Sequence, residues 1–441
     1  MACCLVASVA LAAEKRPPNI VLIFADDLGW KDVGYQGTDF YETPNIDRLA
    51  KEGMVFSAGY AAAGNCAPSR ACLISGQYTP RHGVYAVGST NRGPANLMRM
   101  TPVPNSQSLP AENVTVAEAL RAAGYATGFF GKWHLGNAPK FWPTEQGFDV
   151  NLGGCGFGGP PTYFDPYRIP TLAPRQTGEY LTDRLADETI AFLQREHQRQ
   201  MFVCLWTYNP HYPFEAPDEL TEHYKGLEGP GLKNPIYGGQ IEATDQAIGR
   251  VLQEIDRLGL TDRTLVIFTS DNGGWSGATD NRPLRAGKGY LYEGGLRVPL
   301  MIRWPGMTKA GTVDATPVIS MDLTATILDA AGVLATQADE LDGQTLRPLF
   351  TGESFEREAL YFHYPHFAFH KDNRPGSAIR SGRHKLILRY DDDSVELFDL
   401  LDDPAETTDL AQAMPEVAER LKLQLQQWLN DTNAGIPLKM N

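Results

Sequence analysis

Short apolar runs that alternate with longer amphipathic segments are the feature that most constrains the fold of this chain. The first run, residues 19–25 (NIVLIFA), follows two prolines and ends at the pair Asp26 and Asp27. Positions 20–25 carry no polar side chain, which is typical of a strand covered on both faces. Apolar runs predict further strands at 54–57, 125–130, 201–207, 264–270 and 298–303.

Helical patterns lie between these runs. Residues 44–52 follow Thr43 as a cap and begin with Pro44, which favours the start of a helix. Similar patterns predict helices at 115–123, 180–195 and 239–258. Strands alternating with helices predict an α/β fold, with a large mixed, mostly parallel sheet sandwiched by helices.

The pattern changes near residues 350–357. A main α/β domain is therefore expected over 14–355, and a smaller C-terminal α+β subdomain over 356–441. An amphipathic helix at 415–430 and a short antiparallel sheet are predicted in this subdomain. The strands of that sheet are expected at 359–363, 377–381, 384–390 and 395–399.

Composition limits the classes of function. The 441-residue chain is 42% hydrophobic, so it can form a sizeable core and is not mainly disordered. Its net charge of −14 argues against general binding to nucleic acid or to an anionic membrane. Apolar runs of about 18 residues, which a membrane span needs, are missing from the sequence. A local basic pocket stays compatible with these features.

The N-terminal residues indicate export. Residues 2–13 (ACCLVASVALAA) resemble the end of a secretory signal with an Ala-Leu-Ala cleavage site, although the usual basic segment is missing. We therefore expect 1–13 to be a signal peptide remnant and the protein to be periplasmic or secreted. A frayed N-terminus is the alternative.

Polar residues follow four of the predicted strands. Because ligands bind beyond the carboxyl ends of strands in open α/β sheets, we expect these side chains to converge on one site. Any one of them alone could be a turn residue. The residues are Asp26 and Asp27, then Lys132 and His134, then His211, and last Asp271 and Asn272.

Four of these side chains, Asp26, Asp27, Asp271 and Asn272, offer only oxygen ligands. This set suits a hard cation such as calcium or magnesium, which would also relieve the repulsion among three carboxylates. Helix capping and turn formation at two separate places is the alternative interpretation.

A second motif surrounds Cys66. In the string NCAPSRACLISG (65–76), Pro68 suits the first turn of a helix and Gly76 suits its end. Cys66 is then expected just ahead of the helix, where free N–H groups favour an anion. Arg70 is four residues further on and can return to the same side. A lone thiol in an ordinary turn is the alternative interpretation, and the whole string argues against it.

The Cys66 string matches the signature of formylglycine-dependent sulfatases, Cys-x-Pro-Ser-Arg followed by Leu-x-Ser/Thr-Gly. The chain resembles this type I, arylsulfatase-like family of the alkaline phosphatase superfamily over most of 19–350, and its C-terminal segments RSGRHKLIL and ELFDLLDDPAETTDL resemble the family's terminal subdomain. Further matching segments, in the family's usual order, are ADDLGW (25–30), TPNIDRLAKEGMVF (43–56), GKWHLG (131–136), SDNGG (270–274) and GKGYLYEGGLRVP (287–299).

The resemblance implies a sulfuric ester hydrolase whose Cys66 is oxidised to formylglycine by a maturation enzyme. One calcium ion would be bound by Asp26, Asp27, Asp271, Asn272 and the modified Cys66. The remaining implied roles belong to the catalytic set: Arg70 and Lys132 hold the aldehyde hydrate, His134 acts on it as a base, and His211 and Lys288 contact the sulfate and assist the leaving oxygen.

A sulfated carbohydrate is the expected substrate, because export, long loops and aromatic residues near the expected site entrance favour it. Which sugar, which hydroxyl and which oligomeric state are not readable from the sequence. Two alternatives stay open: a phosphonate or phosphate ester hydrolase of the same superfamily, and a non-catalytic glycan-binding relative. Candidate substrate contacts are Trp30, Arg81, His82, Arg282, Arg285, His363 and His366.

Overall fold

The computed structural model describes residues 16–91, 96, 98–227, 233–333, 341–367 and 373–440. The expected signal segment, 1–13, lies outside these residues. The strands are β1 (Asn19–Ala25), β2 (Met54–Phe56), β3 (Gly59–Tyr60), β4 (Met100–Thr101), β5 (Ala126–Gly131), β6 (Val150–Leu152), β7 (Met201–Trp206), β8 (Thr264–Ser270), β9 (Leu300–Arg303), β10 (Thr312–Asp314), β11 (Val318–Ile319), β12 (Leu360–Tyr364), β13 (Gly376–Ser381), β14 (His384–Arg389), β15 (Val395–Asp399) and β16 (Leu438–Lys439).

The helices vary from one turn to more than six turns in length. They are α1 (Pro44–Glu52), α2 (Cys66–Ser75), α3 (Thr79–His82), α4 (Val116–Ala122), α5 (Leu181–Glu196), α6 (Asp218–Lys225), α7 (Pro235–Arg257), α8 (Glu293–Leu296), α9 (Ser320–Ala330), α10 (Arg347–Thr351) and α11 (Pro415–Asp431). Short 3-10 helices occupy Gly34–Gln36, Pro139–Phe141, Pro143–Gln146 and Thr261–Arg263.

The apolar run of β1 forms the middle of an eight-stranded sheet, in the order β10-β2-β9-β8-β1-β7-β5-β6. Its neighbours β7 and β8 both pair with it in parallel, and only β9 among these eight strands runs antiparallel to its neighbours. Every residue of β1 is buried. The mixed, mostly parallel sheet confirms the predicted fold class.

Helices cover both faces of this sheet. Alternate residues of β1 enter two hydrophobic clusters, one shared with α1, α5 and α7 and the other with α2, α4 and α9. This arrangement explains why the strand is apolar at successive positions, since both faces need apolar side chains.

Helix α7 begins at Pro235, four residues before the predicted start at 239. The Asn234 side chain accepts a hydrogen bond from Ile236 N at 3.0 Å, which caps the helix. The glycines of this first turn hid the pattern. A Cβ atom on Gly238 would lie 2.6 Å from the Tyr224 ring, so glycine allows α6 and α7 to pack closely.

Strands β12 to β15 form a separate antiparallel sheet in chain order, and α11 packs against it. A short antiparallel sheet with a terminal helix is what the C-terminal sequence pattern predicts. The domain boundary near residue 355 stays a prediction. Among the described residues, every helix is too short or too polar to span a bilayer.

Candidate active site

Four adjacent parallel strands end at one edge of the large sheet, in the order β8, β1, β7 and β5. Asp26 and Asp27 follow β1, Asp271 follows β8, and Lys132 follows β5. The backbone N–H of Asp26 donates to the carbonyl of Asn209, beyond the end of β7, at 3.0 Å. The parallel arrangement therefore brings side chains from separate segments together, as expected for an open α/β sheet.

Cys66 reaches this edge from the N-terminus of α2. It is the first residue of the helix, with Asn65 as the N-cap, and is only 2% exposed. The helix therefore starts earlier than predicted, with Cys66 inside it and not ahead of it. The Cys66 thiol and carboxylate oxygens of Asp26 and Asp271 all lie within 4.8 Å of one another.

Two buried cations hold two of the carboxylates. Arg70 lies one turn along α2 from Cys66, and its Nη2 atom is 2.8 Å from Asp271 Oδ2. Its Nη1 donates to the carbonyl of Lys132 at 2.6 Å. Lys132 Nζ in turn lies 2.6 Å from Asp26 Oδ2. These side chains are fully buried, so their charges interact in a medium of low polarity.

Asp27 organises the other half of the site. Its Oδ2 atom lies 2.6 Å from Lys288 Nζ and 3.7 Å from His211 Nε2, and its Oδ1 accepts from Asn272 Nδ2 at 2.8 Å. Burial by itself would lower the pKa of Lys288, but the acidic groups around it, with Asp27 first among them, together outweigh burial and the pKa is raised. Lys288 therefore holds its proton next to the cluster.

The two histidines lose basicity in this environment. Burial, reinforced by Lys132 and Arg70, holds the pKa of His134 well below its usual range. Burial, reinforced by Lys288 and Lys132, has the same effect on the pKa of His211. Both imidazoles are therefore neutral near pH 7, and a neutral imidazole can accept a proton.

The cluster is balanced in charge but not in hydrogen bonds. Three carboxylates, those of Asp26, Asp27 and Asp271, face three cations, those of Arg70, Lys132 and Lys288. Among the described residues, buried Asp26 Oδ1 and Asn272 Oδ1 have no hydrogen-bond donor. Unpaired buried oxygens are costly, so their presence in one cluster indicates that a ligand completes it.

A glycine-rich loop covers both histidines. A Cβ atom on Gly158 would lie 2.8 Å from His134 Cε1, and one on Gly159 would lie 3.0 Å from His211 Nδ1. Larger residues would therefore push against the imidazoles. The sequence indicated only that the Gly-rich segment 151–160 lies near a site. It did not show that these two glycines pack on the histidines.

Family comparisons agree with this geometry. The family model described as Sulfatase matches residues 18–333, more than half of the chain. The chain belongs to the sulfatase family. A second family model, described as N-sulphoglucosamine sulphohydrolase, C-terminal, matches residues 286–432. This sulfatase is therefore a sulfuric ester hydrolase, as the motifs predicted.

Alignments with named relatives extend over most of this sulfatase. Human arylsulfatase A is 35% identical over 95% of the chain and 89% of the relative. Mouse N-acetylgalactosamine-6-sulfatase is 34% identical over 80% of the chain and 70% of the relative. The solved structure of Ps i-CgsB in complex with k-i-k-neocarrahexaose is 29% identical, covers 94% of this chain and 93% of its own, and has a TM-score of 0.80.

Two of the expected substrate contacts belong to the protein interior. His82 is buried with its Nε2 atom 3.4 Å from Cys72 Sγ, and burial lowers its pKa to about 3. His363 lies between Ser377 Oγ at 2.7 Å and the Gly435 carbonyl at 3.0 Å, and burial lowers its pKa to about 4. Because their ring nitrogens already have partners within the protein, the structure favours a structural role for these histidines, and their role as substrate contacts stays a prediction.

The arginine candidates are engaged in local contacts. Arg81 Nε donates to Asp342 at 2.8 Å, and Arg282 Nε donates to Asp280 at 2.8 Å. The Arg285 guanidinium lies 3.9 Å from the centroid of the Tyr292 ring. Their role as substrate contacts stays a prediction.

The remaining two candidates are aromatic. Trp30 lies under the Arg297 guanidinium, 4.9 Å from the ring centroid. His366 is buried and stacks on Tyr364 at 3.9 Å. A role for either side chain in binding substrate stays a prediction as well.

Proposed function

We propose that this sulfatase hydrolyses O-sulfate esters of a carbohydrate, through a formylglycine residue made from Cys66 and with one bound calcium ion. One observation carries the proposal: Cys66, Asp26 and Asp271 form a buried group, next to three cations, in which Asp26 Oδ1 lacks a hydrogen-bond donor. The relatives named for sulfated sugars, and the related structure with a bound carrageenan oligosaccharide, support a sugar as the substrate.

The donor set fits calcium. Carboxylate and amide oxygens suit a hard cation, and the unpaired Asp26 Oδ1 and Asn272 Oδ1 are available to it. We assign Asp26, Asp27, Asp271 and Asn272 as its ligands, together with modified Cys66. When bound, the ion supplies a positive charge that stabilises negative oxygen atoms of the nucleophile and the sulfate.

The environment of Cys66 supports its modification. Burial raises the pKa of the Cys66 thiol, so the unmodified residue stays protonated and is a weak nucleophile near pH 7. A formylglycine hydrate instead offers two hydroxyls on one carbon, which allows attack by one and release of sulfate by the other. Because Cys66 is 2% exposed, we expect a formylglycine-generating enzyme to act before folding is complete.

The neighbouring side chains then have separate tasks. Arg70 and Lys132 form ion pairs that fix the carboxylates around Cys66. Neutral His134 can accept a proton from a hydroxyl group at Cys66. Lys288, protonated at Nζ, and His211 stabilise the oxygen that leaves sulfur, and Lys288 can donate the proton that the freed alcohol needs.

Mass spectrometry across the Cys66 peptide, paired with sulfate release from a panel of sulfated sugars, tests this proposal. The expected result is a formylglycine mass and release that Cys66→Ala abolishes. Cys72→Ala is the matched control, because Cys72 is buried in the same helix, and it should keep sulfate release.

Other outcomes assign the site differently. A fully converted enzyme that cleaves an aryl phosphonate ester, and no sulfate ester, would identify a phosphonate hydrolase. Calcium-dependent binding of sulfated sugar without release would identify a glycan-binding protein. If Cys66 is unmodified, co-expression with a maturation enzyme followed by the same panel gives the deciding result.

We also propose that the protein is exported, to the periplasm or outside the cell. The apolar segment at residues 2–13 and its small residues support this location, which would bring the enzyme to extracellular glycans. Cell fractionation with an antibody to the mature chain tests it, and an exclusively cytosolic signal would refute it.

A further inference from the structure

A cavity of about 240 Å³ opens beside the reacting groups of this sulfatase. Asp27, His211 and Lys288 line it together with aromatic and other apolar side chains. Among the lining residues only those three carry titratable groups of the reaction, so the rest of the cavity is almost entirely apolar. This volume is below the usual range for ligand sites and suits a group as small as one six-membered sugar ring.

Three aromatic side chains, Tyr212, Phe214 and Trp275, form what we call the aromatic wall of this cavity. Phe214 and Trp275 are nearly parallel, with an interplanar angle of 9° and centroids 5.9 Å apart. Tyr212 is nearly perpendicular to Phe214, at 88°. Two loops build the wall, one after β7 and one after β8, which are the same loops that carry His211 and Asp271.

Parts of the wall are open to solvent. Tyr212 is 66% exposed and Trp275 is 38% exposed, although both are large apolar rings. Exposed aromatic side chains grouped at a cavity mark a binding surface more often than a packing accident. Their position beside Lys288 and His211 connects this surface to the sulfate-cleaving chemistry.

The wall is held in one geometry from below. A Cβ atom on Gly277 would lie 2.6 Å from Trp275 Cζ2 and 2.7 Å from Cε2, so this glycine packs closely on the indole. The Phe214 ring packs edge-on against the Tyr237 ring, with an interplanar angle of 77°. Tyr237 Oη in turn donates a hydrogen bond to Asp32 at 2.6 Å. A rigid aromatic surface binds a ring with less loss of conformational entropy than a flexible one.

We propose that the aromatic wall binds the C–H face of the sugar ring that carries the sulfate, and thereby determines which leaving group this enzyme accepts. The inference rests on the proposed function. C–H groups of a pyranose carry partial positive charge and are attracted to the negative face of an aromatic ring. A ring with one sulfate, pointing at Lys288, leaves its apolar face for the wall.

The same surface disfavours other substrates. A second sulfate or a carboxylate on that face of the ring would be buried against aromatic carbon without a counter-ion, which is costly. An open-chain sulfate ester offers no flat C–H face. The predicted substrate class is therefore a cyclic, singly sulfated sugar residue.

Kinetics on a matched substrate pair tests the wall. The pair is a sulfated monosaccharide that the wild type cleaves and the alditol made from it by borohydride reduction, which keeps the sulfate and opens the ring. For Trp275→Ala we expect kcat/KM on the cyclic sugar to fall about tenfold, mainly through KM, with little change on the alditol. Trp275→Phe should recover most of the loss, because it restores an aromatic face.

Two further variants protect the test from a folding artefact. Gly277→Ala should displace the indole and lower kcat/KM on the cyclic sugar while Trp275 itself is unchanged. Trp428→Ala removes a ring from another stacked pair, in which the Trp428 and Tyr361 ring centroids are 4.7 Å apart. It should affect stability without changing the ratio of kcat/KM between the two substrates. Thermal unfolding of each variant shows whether it is folded.

The outcomes separate the two proposals. If Trp275→Ala lowers kcat/KM equally on both substrates, or leaves kcat/KM on the cyclic sugar unchanged, the aromatic wall does not bind the sugar ring. If the wild type, with Cys66 fully converted, releases sulfate from no sulfated sugar, the proposed function itself fails. If the wild type prefers the alditol, the ring face is not what the cavity recognises.

Discussion

Two clusters of buried charge in this sulfatase differ in how completely their atoms are paired. In the cluster around Lys385, Nζ lies 3.0 Å from Glu293 Oε1 and 2.9 Å from Glu406 Oε1. The other oxygen of Glu293 accepts from Tyr60 Oη at 2.7 Å, and that of Glu406 accepts from the Glu293 backbone at 2.7 Å. Three of the four carboxylate oxygens there accept a hydrogen bond, and the fourth, Glu406 Oε1, is held by the Lys385 ammonium group at 2.9 Å.

The active-site cluster is more open, because Asn272 Oδ1 has no donor among the described residues and Asp26 Oδ1 has Arg70 Nη2 at 3.6 Å, beyond hydrogen-bond distance. Both clusters are buried and both pair acids with bases. The Lys385 cluster joins β14 to α8, so it holds the C-terminal sheet against the large domain. We expect the closely paired Lys385 network to stabilise the fold, and the active-site cluster to be completed by a ligand.

The largest effect is expected where a ligand completes the cluster. In Asp271→Asn one carboxylate charge is lost beside Cys66, so we expect kcat/KM for sulfate release to fall about a thousandfold or more. Calcium should raise the melting temperature of the wild type and have little effect on the variant. Steady-state kinetics and thermal unfolding with and without calcium measure both effects.

Asp32→Asn is the control for that prediction. Asp32 is also a buried carboxylate, but its donors are the neutral groups Tyr237 Oη, Thr279 Oγ1 and Gly29 N. This variant should keep its calcium response. Equal loss of that response in both variants would show that general disruption, and not loss of a ligand, explains the Asp271 result.

Breaking the paired cluster should affect stability and largely spare turnover. Lys385→Met leaves Glu293 and Glu406 buried without their shared cation, so we expect the free energy of unfolding to fall by about 3–5 kcal/mol. Sulfate release per folded molecule should change much less than in Asp271→Asn. Guanidinium unfolding, with activity normalised to the folded fraction, measures the difference.

Lys439→Met is the matched control, since Lys439 pairs with Asp393 at the surface and exposed pairs contribute about 0–1 kcal/mol. A loss of activity in Lys385→Met as large as that in Asp271→Asn would remove the distinction between the two clusters.

The smallest expected effect is a pH dependence of stability. Burial raises the pKa of Glu406 from 4.5 to about 7. The Lys385 charge lowers this pKa, and the Glu293 carboxylate raises it further. The folded state therefore holds this proton more tightly than the unfolded state does. Its stabilising contribution is complete below the unfolded pKa and is lost as pH rises through about 7.

We expect Glu406→Gln to remove about 1–3 kcal/mol of this pH dependence between roughly pH 5 and pH 8. Denaturant unfolding of wild type and variant across that range measures it. Parallel stability curves for the two proteins would contradict the prediction.

Much of the fold was predictable because its signals are local. The apolar β1 run, the proline that begins α1, and the amphipathic stripe of α11 each depend on neighbouring residues. The predicted Thr43 cap was wrong, since its side chain makes no capping hydrogen bond. The substrate contacts were less predictable. His363 has the chemistry of a binding residue, but tertiary packing buries it between Ser377 and the Gly435 carbonyl.

The aromatic wall is a second feature that the sequence did not predict. Tyr212, Phe214 and Trp275 lie in loops, and nothing in their local sequence shows that they meet. Aromatic residues were expected near the site entrance, with Trp30 as the named candidate. The signal that could have found the wall is the position of both segments just after His211 and Asn272, at strand ends already assigned to the site.

The sequence by itself determined which strands are buried, which polar residues end them, and that a helix lies close to Cys66. These features follow from side-chain periodicity, strand direction and helix-capping chemistry, which operate over a few residues. Only the tertiary structure decided which oxygens stay unpaired and which aromatic rings line the cavity. Those outcomes depend on contacts between segments far apart in the chain, and local residue preferences do not encode such contacts.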